Sequence, residues 1–135
     1  MIGAVIVTHG TLAEALLESA RTIVESAENV AAIGVKGDES FDELKAKISL
    51  AIKSVDSGSG VMVFTDMFGG TPANIVLTLH EEGRIEVLTG VNLPLMIKFL
   101  TARKGRSLKE FSSALVEHGR KSIVLASGVL GGAGK

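Results

Sequence analysis

"IGAVIVTHG", residues 2–10, is an apolar run that stops at a histidine. Residues 2–8 are rich in β-branched side chains and show no polar alternation. That pattern predicts a strand buried on both faces, as in parallel sheets. His9 stands at its tip, followed by Gly10 and a helical pattern in which Ala13, Leu16, Leu17, Ala20 and Val24 recur every three or four residues. This predicts an amphipathic helix of about four turns, with Thr11 as its cap and Glu14 completing a capping box.

The same alternation continues along the chain. Residues 29–35 (NVAAIGV) read as a second strand, and Phe41, Leu44, Ile48, Ala51, Ile52 and Val55 as a second helical stripe capped by Ser40. "DSGSG" (Asp56–Gly60) is a turn, and residues 61–65 (VMVFT) are a third buried strand. "DMFGGTP" leads into a short helix, and Arg84–Gly90 is a fourth strand. Two helices are expected near 93–102 and 108–118. Residues 121–127 (KSIVLAS) read as a fifth strand and 128–135 as a flexible tail. The expected class is α/β: one domain over 1–135, with an open, mainly parallel sheet carrying helices on both faces. The two consecutive helices break the alternation before the fifth strand, which therefore sits on a sheet edge or pairs elsewhere.

Composition narrows the function. A chain of 135 residues that is 46% hydrophobic can bury a real core. The formal charge is −1 with cations spread throughout, which argues against nucleic acid and against a membrane surface. There is no cysteine, which excludes disulfides and thiolate metal sites and fits a cytoplasmic protein. No apolar run reaches the roughly 18–20 residues of a membrane span. Neither GxGxxG nor GxxxxGKS occurs, so a nucleotide site has no motif behind it.

In open α/β sheets, ligands bind beyond the carboxyl ends of the strands, where strand order reverses. With the order 2-1-3-4, that crevice lies between strands one and three. His9 ends the first and Asp66 follows the third. A carboxylate beside an imidazole accepts the proton of one ring nitrogen and leaves the other as a free lone pair. So oriented, His9 suits a base, a metal ligand or a nucleophile. "GGTP" (Gly69–Pro72) favours the last. Its glycines allow backbone N–H groups to face inward, Thr71 is a good N-cap and Pro72 suits the first helical position. A glycine turn feeding a helix N-terminus is an anion site, and Gly10-Thr11 supplies a second. Two such termini converging on one histidine suit a dianionic phosphoryl group with His9 as nucleophile. The other histidines, His80 and His118, fall on helices elsewhere, so no metal site is expected. Phe68 reads either as an exposed docking residue or as packing over the loop. Asn92, in "GVNLP" (Gly90–Pro94), reads as a border of the crevice or as a helix cap.

"IVTHG", "TDMFGGTPAN" and "GVNLP", in that order, resemble the EIIA component of the mannose-family (mannose/fructose/sorbose) sugar phosphotransferase system (PTS) over nearly the whole chain. "GGTP" favours this branch over the related phosphotransfer subunit of dihydroxyacetone kinase. The resemblance implies a phosphocarrier that needs no cofactor. His9 takes a phosphoryl group from the phosphocarrier HPr and passes it to a histidine of EIIB, which serves membrane EIIC and EIID in sugar uptake. It implies that Asp66 orients the ring by Nδ1, that Nε2 is phosphorylated, and that Thr71 and backbone amides near Gly10 and Gly70 hold the phosphoryl group. It further implies a homodimer in which the last strand, residues 121–127, is exchanged with the partner's sheet. Some relatives continue into an EIIB domain. Because this sequence stops at Lys135, the expected acceptor is a separate EIIB protein. Two other readings stand beside the carrier. One is a regulatory module whose His9 phosphorylation reports carbon or energy status. The other is a small-molecule enzyme using His9 and Asp66 as a general base.

Overall fold

The computed structural model describes residues 1–131. Four strands, β1 (Gly3–His9), β2 (Val30–Val35), β3 (Val61–Thr65) and β4 (Ile85–Thr89), form one parallel sheet in the order β2-β1-β3-β4. The helices are α1 (Leu12–Arg21), α2 (Phe41–Val55), α3 (Gly70–Leu77), α4 (Leu93–Ala102), α5 (Leu108–Lys121) and α6 (Ala126–Leu130).

The unbroken apolar character of β1 has a direct cause: both faces of the sheet are covered. Ala4 and Ile6 face a core with Met62, Phe64 and residues of α1, α4 and α5. Val5 and Val7 face a second core with Val61, Val63 and the stripes of α2 and α3. Phe99 knits the first core together. It meets Phe64 edge-on at 5.3 Å and stacks on Phe111 at 5.9 Å. Arg103 is buried beside it and donates to the carbonyls of Ile2 (3.0 Å) and Glu28 (2.7 Å), so its guanidinium is satisfied rather than stranded.

Three expectations need correcting. First, the capping box at α1 does not form. The Thr11 side chain makes no cap bond, and Thr8, fully buried at the end of β1, accepts the Ala13 N–H at 2.7 Å instead. The helix has 10 residues, and Val24 lies beyond its end. Second, Gly69 rather than Thr71 occupies the N-cap of α3, so Thr71 and Pro72 sit inside the first turn. Third, residues 121–127 are not a strand. Lys121 ends α5, the chain is irregular through Leu125, and Ala126 begins α6. The segment has the β-branched composition of a strand but pairs with no sheet edge in its own chain, and strand structure requires that pairing. Of the expected tail, residues 128–130 belong to α6, while 132–135 lie outside the described residues. The caps at Ser40 and Asn92 form as expected, accepting from Glu43 N–H (3.1 Å) and Leu95 N–H (2.9 Å).

Candidate functional site

The register Val7↔Thr65 between β1 and β3 leaves His9 and Asp66 side by side just past the paired residues. The contact is tight. One carboxylate oxygen of Asp66, Oδ2, lies 2.8 Å from His9 Nδ1 and also accepts the His9 backbone N–H at 3.0 Å. The other oxygen accepts the Met67 N–H at 3.1 Å. Three donors thus fix the carboxylate before any ligand arrives. The Asp66 side chain is 15% exposed, whereas that of His9 is 50% exposed.

Burial pushes the Asp66 carboxyl upward and is the largest single influence on it. The bonds from the His9 ring and backbone, the attraction of that ring and the local N–H together outweigh burial, and the carboxyl ends below its ordinary value of 3.8. Asp66 is therefore ionised at neutral pH and can only accept. Nδ1 must then carry the proton, and in the neutral ring Nε2 is left with its lone pair outward.

Two supports of this geometry are not evident from motif spacing. Thr8 binds the first turn of α1 from the strand beneath it and so sets the angle at which the chain leaves His9. Gly34 lies on β2 where the Gly10 carbonyl crosses it, and a side chain there would collide with that carbonyl. The crossing is held by the Gly10 N–H donating to the Val35 carbonyl at 2.9 Å. A glycine inside the apolar run "AAIGV" is the sequence signal for such a close approach.

The remaining expected residues gather around the same crevice or border it. Gly70 touches the His9 ring: a Cβ there would stand 3.0 Å from Cε1 and 3.1 Å from Nε2. Thr11 and Thr71 are exposed, and neither hydroxyl serves as a helix cap. Phe68 does not pack over its loop. It is 75% exposed, with Met67 and Leu12 exposed nearby in sequence to Asp66 and His9. The β4–α4 loop is anchored beside Asp66, because the N–H groups of Gly90 and Val91 both donate to the Thr65 carbonyl at 3.0 Å. Asn92 is half-buried there; its carbonyl caps α4 and its amide donates to Ser122 Oγ at 3.1 Å. His118 lies on α5 as expected, whereas His80 lies beyond the end of α3 rather than on a helix and pairs with Glu86 at 3.5 Å. Among the described residues no group of three or more His, Asp or Glu is placed to hold a metal. No helix of the described residues is long and apolar enough to cross a membrane.

Residues 3–116 match the EIIA-man family, described as PTS system fructose IIA component. The chain belongs to the mannose-type EIIA family of the sugar phosphotransferase system. This EIIA chain is 30% identical over 128 residues to the fructose-specific EIIA component of Bacillus subtilis, covering 94% of this chain and 88% of that protein. It is 33% identical over 124 residues to the mannose-specific EIIAB component of Escherichia coli K12, with 90% of this chain aligned. The chain spans only 38% of the length of that EIIAB protein. Its fold is shared with a phosphotransferase system EIIA from Streptococcus agalactiae (TM-score 0.84, 24% identity, 94% and 98% of the two chains). A mannose/sorbose-specific IIA subunit from Enterococcus faecalis shares it too (TM-score 0.80, 22% identity, 92% and 93%).

The Asp66 geometry predicts a pH signature. Its folded value lies below the ordinary one, so the ionised carboxylate stabilises the fold above pH ~4, and that contribution is lost as pH falls through the depressed value. Thermal melts of wild type and Asp66→Asn should therefore differ most near neutrality and converge below pH ~4. A difference that stays constant into strong acid would contradict the ionised pair.

Proposed function

We propose that this EIIA chain is a cytoplasmic phosphocarrier: His9 accepts a phosphoryl group from phospho-HPr and hands it to a histidine of EIIB in phosphoenolpyruvate-dependent sugar uptake. The observation that carries the reading is the Asp66–His9 pair, which spends Nδ1 on a fixed carboxylate and leaves Nε2 free on a half-exposed ring.

The chemistry follows from that arrangement. The Nε2 lone pair attacks phosphorus, an N–P bond forms, and the bond to the donor breaks with its electron pair leaving on the donor. The imidazole gains positive character as it does so. Asp66, already ionised and bound to Nδ1–H, stabilises that charge through a charge-assisted hydrogen bond, roughly twice as strong as a neutral one. Transfer to EIIB reverses the step. The anionic phosphoryl oxygens need donors. The N–H groups at the start of α3, around Gly70 and Thr71, and of α1, at Thr11, supply them, with both threonine hydroxyls not taken by capping; the Gly10 N–H is already given to the Val35 carbonyl.

An open site suits this role better than a small-molecule reaction. Five clefts among the described residues are lined by residues other than His9. A half-exposed nucleophile flanked by Phe68 is instead suited to a protein surface. Phe68, together with the loop that carries Asn92, forms the docking face for HPr and EIIB in this reading.

The C-terminal segment supports a homodimer. Ile123, Val124, Leu125, Val129 and Leu130 are each between 57% and 80% exposed, an apolar strip that a lone chain leaves in water. β4 is a free sheet edge, and a cleft of about 200 Å³ lined by Leu88, Leu95, Val116 and Ile123 lies between it and α5. Exchange of residues 121–127 with the sheet of a second copy would cover both.

Incubation with Enzyme I, HPr and labelled phosphoenolpyruvate should give acid-labile phosphohistidine in wild type, His80→Ala and His118→Ala, and none in His9→Ala. Label retained by His9→Ala would overturn the assignment. In sedimentation, wild type should run as two copies and Leu125→Asp should shift toward one; a wild type that stays at single-copy mass over the full concentration range would contradict the exchange.

A further inference from the structure

We propose that Gly70 is a steric positioning residue for His9: its missing side chain keeps the Nε2 face of the ring clear for a tetrahedral phosphoryl group. The inference deepens the phosphocarrier reading and rests on it. Gly70 is expected at this site for its backbone N–H; the claim here concerns the Cβ it lacks.

The His9 ring is held from two sides. On the Nδ1 side Asp66 fixes it at 2.8 Å. Beside Cε1 and Nε2 lies Gly70, where an added Cβ would stand 3.0 Å from Cε1 and 3.1 Å from Nε2. Those separations are tighter than most carbon contacts, so the ring would have to give by a few tenths of an ångström. A shift of the ring away from α3 disturbs the Nδ1–Asp66 contact that orients it. One methyl group would therefore crowd the nucleophilic nitrogen and loosen the contact that orients it. Both effects fall on the one imidazole, at Nε2 and at Nδ1, which is why the consequence should be kinetic rather than general.

Gly69 supplies the control. Gly70 has φ +84° and Gly69 has φ +96°, so an L-alanine at either position carries backbone strain. A Cβ at Gly69 meets nothing within 4 Å. The difference between Gly70→Ala and Gly69→Ala isolates the methyl–imidazole contact from the cost of the backbone.

The test uses phosphoramidate, a small phosphoryl donor that needs no partner protein. His9 Nε2 attacks its phosphorus, the P–N bond of the donor breaks, and ammonia leaves with the proton it requires. Phosphohistidine formation is followed by ³¹P NMR on full-length protein, with melts confirming that each variant is folded. Gly70→Ala should react ~10-fold or more slowly than Gly69→Ala, the scale expected for sub-ångström misplacement of a nucleophile. Its His9 Nδ1 resonance should also move toward that of an unbonded ring. Equal rates in the two variants would overturn the proposal. A second measurement needs no substitution: on phosphorylation of wild type, the Gly70 resonances should shift more than those of Gly69, and equal shifts would overturn it too. Failure of phospho-HPr to label wild type, with the phosphoramidate difference intact, would sink the relay reading and leave the steric role standing.

Discussion

The arrangement depends on one hydrogen bond, that between Asp66 Oδ2 and His9 Nδ1. An imidazole free to rotate offers two nitrogens and two tautomers to whatever approaches it. An ionised carboxylate that can only accept removes three of those choices at once. It selects the ring orientation, the protonated nitrogen and hence the nucleophilic one. It also fixes where positive charge will be compensated when that nucleophile reacts. The carboxylate is itself held by backbone N–H groups of His9 and Met67, so the orientation is set by the main chain rather than by a flexible side chain.

The fold exists at this point because a parallel sheet brings distant residues together at one end. His9 and Asp66 are separated by 57 positions, yet β1 and β3 are hydrogen-bonded neighbours. Their adjacency follows from the crossover through β2, which turns the strand order at β1. Covering both faces of the sheet makes β1 apolar along its length, and the first residue free of that burial is His9. Burial pattern and reactive position are therefore two consequences of the same topology.

Much of this was legible in the sequence, and the reasons are physical. The buried strands show as uninterrupted β-branched runs, the helices as three- and four-residue stripes, and strand ends in such a sheet are where ligands bind. Local capping was less legible. Thr11 and Glu14 have the spacing of a capping box, but Thr8 reaches the helix first from the strand, and spacing along the chain cannot register a bond that depends on the strand-to-helix angle. The role of Gly34 is hidden for a similar reason: it is a contact with Gly10 at the end of another strand. Residues 121–127 form no strand in the single chain because they pair with neither edge of its sheet, β2 or β4, and strand propensity alone does not make a strand without that pairing. The exposed Ile123–Leu125 run is what that unmet preference leaves behind.

The most direct test is a long-range ¹H–¹⁵N correlation spectrum of histidine-labelled protein with its imidazoles neutral, repeated after phosphorylation. The account predicts that His9 carries its proton on Nδ1 with Nε2 unprotonated, and that the phosphoryl group then appears on Nε2 with Nδ1–H retained. A neutral His9 protonated at Nε2, or a phosphoryl group on Nδ1, would contradict it.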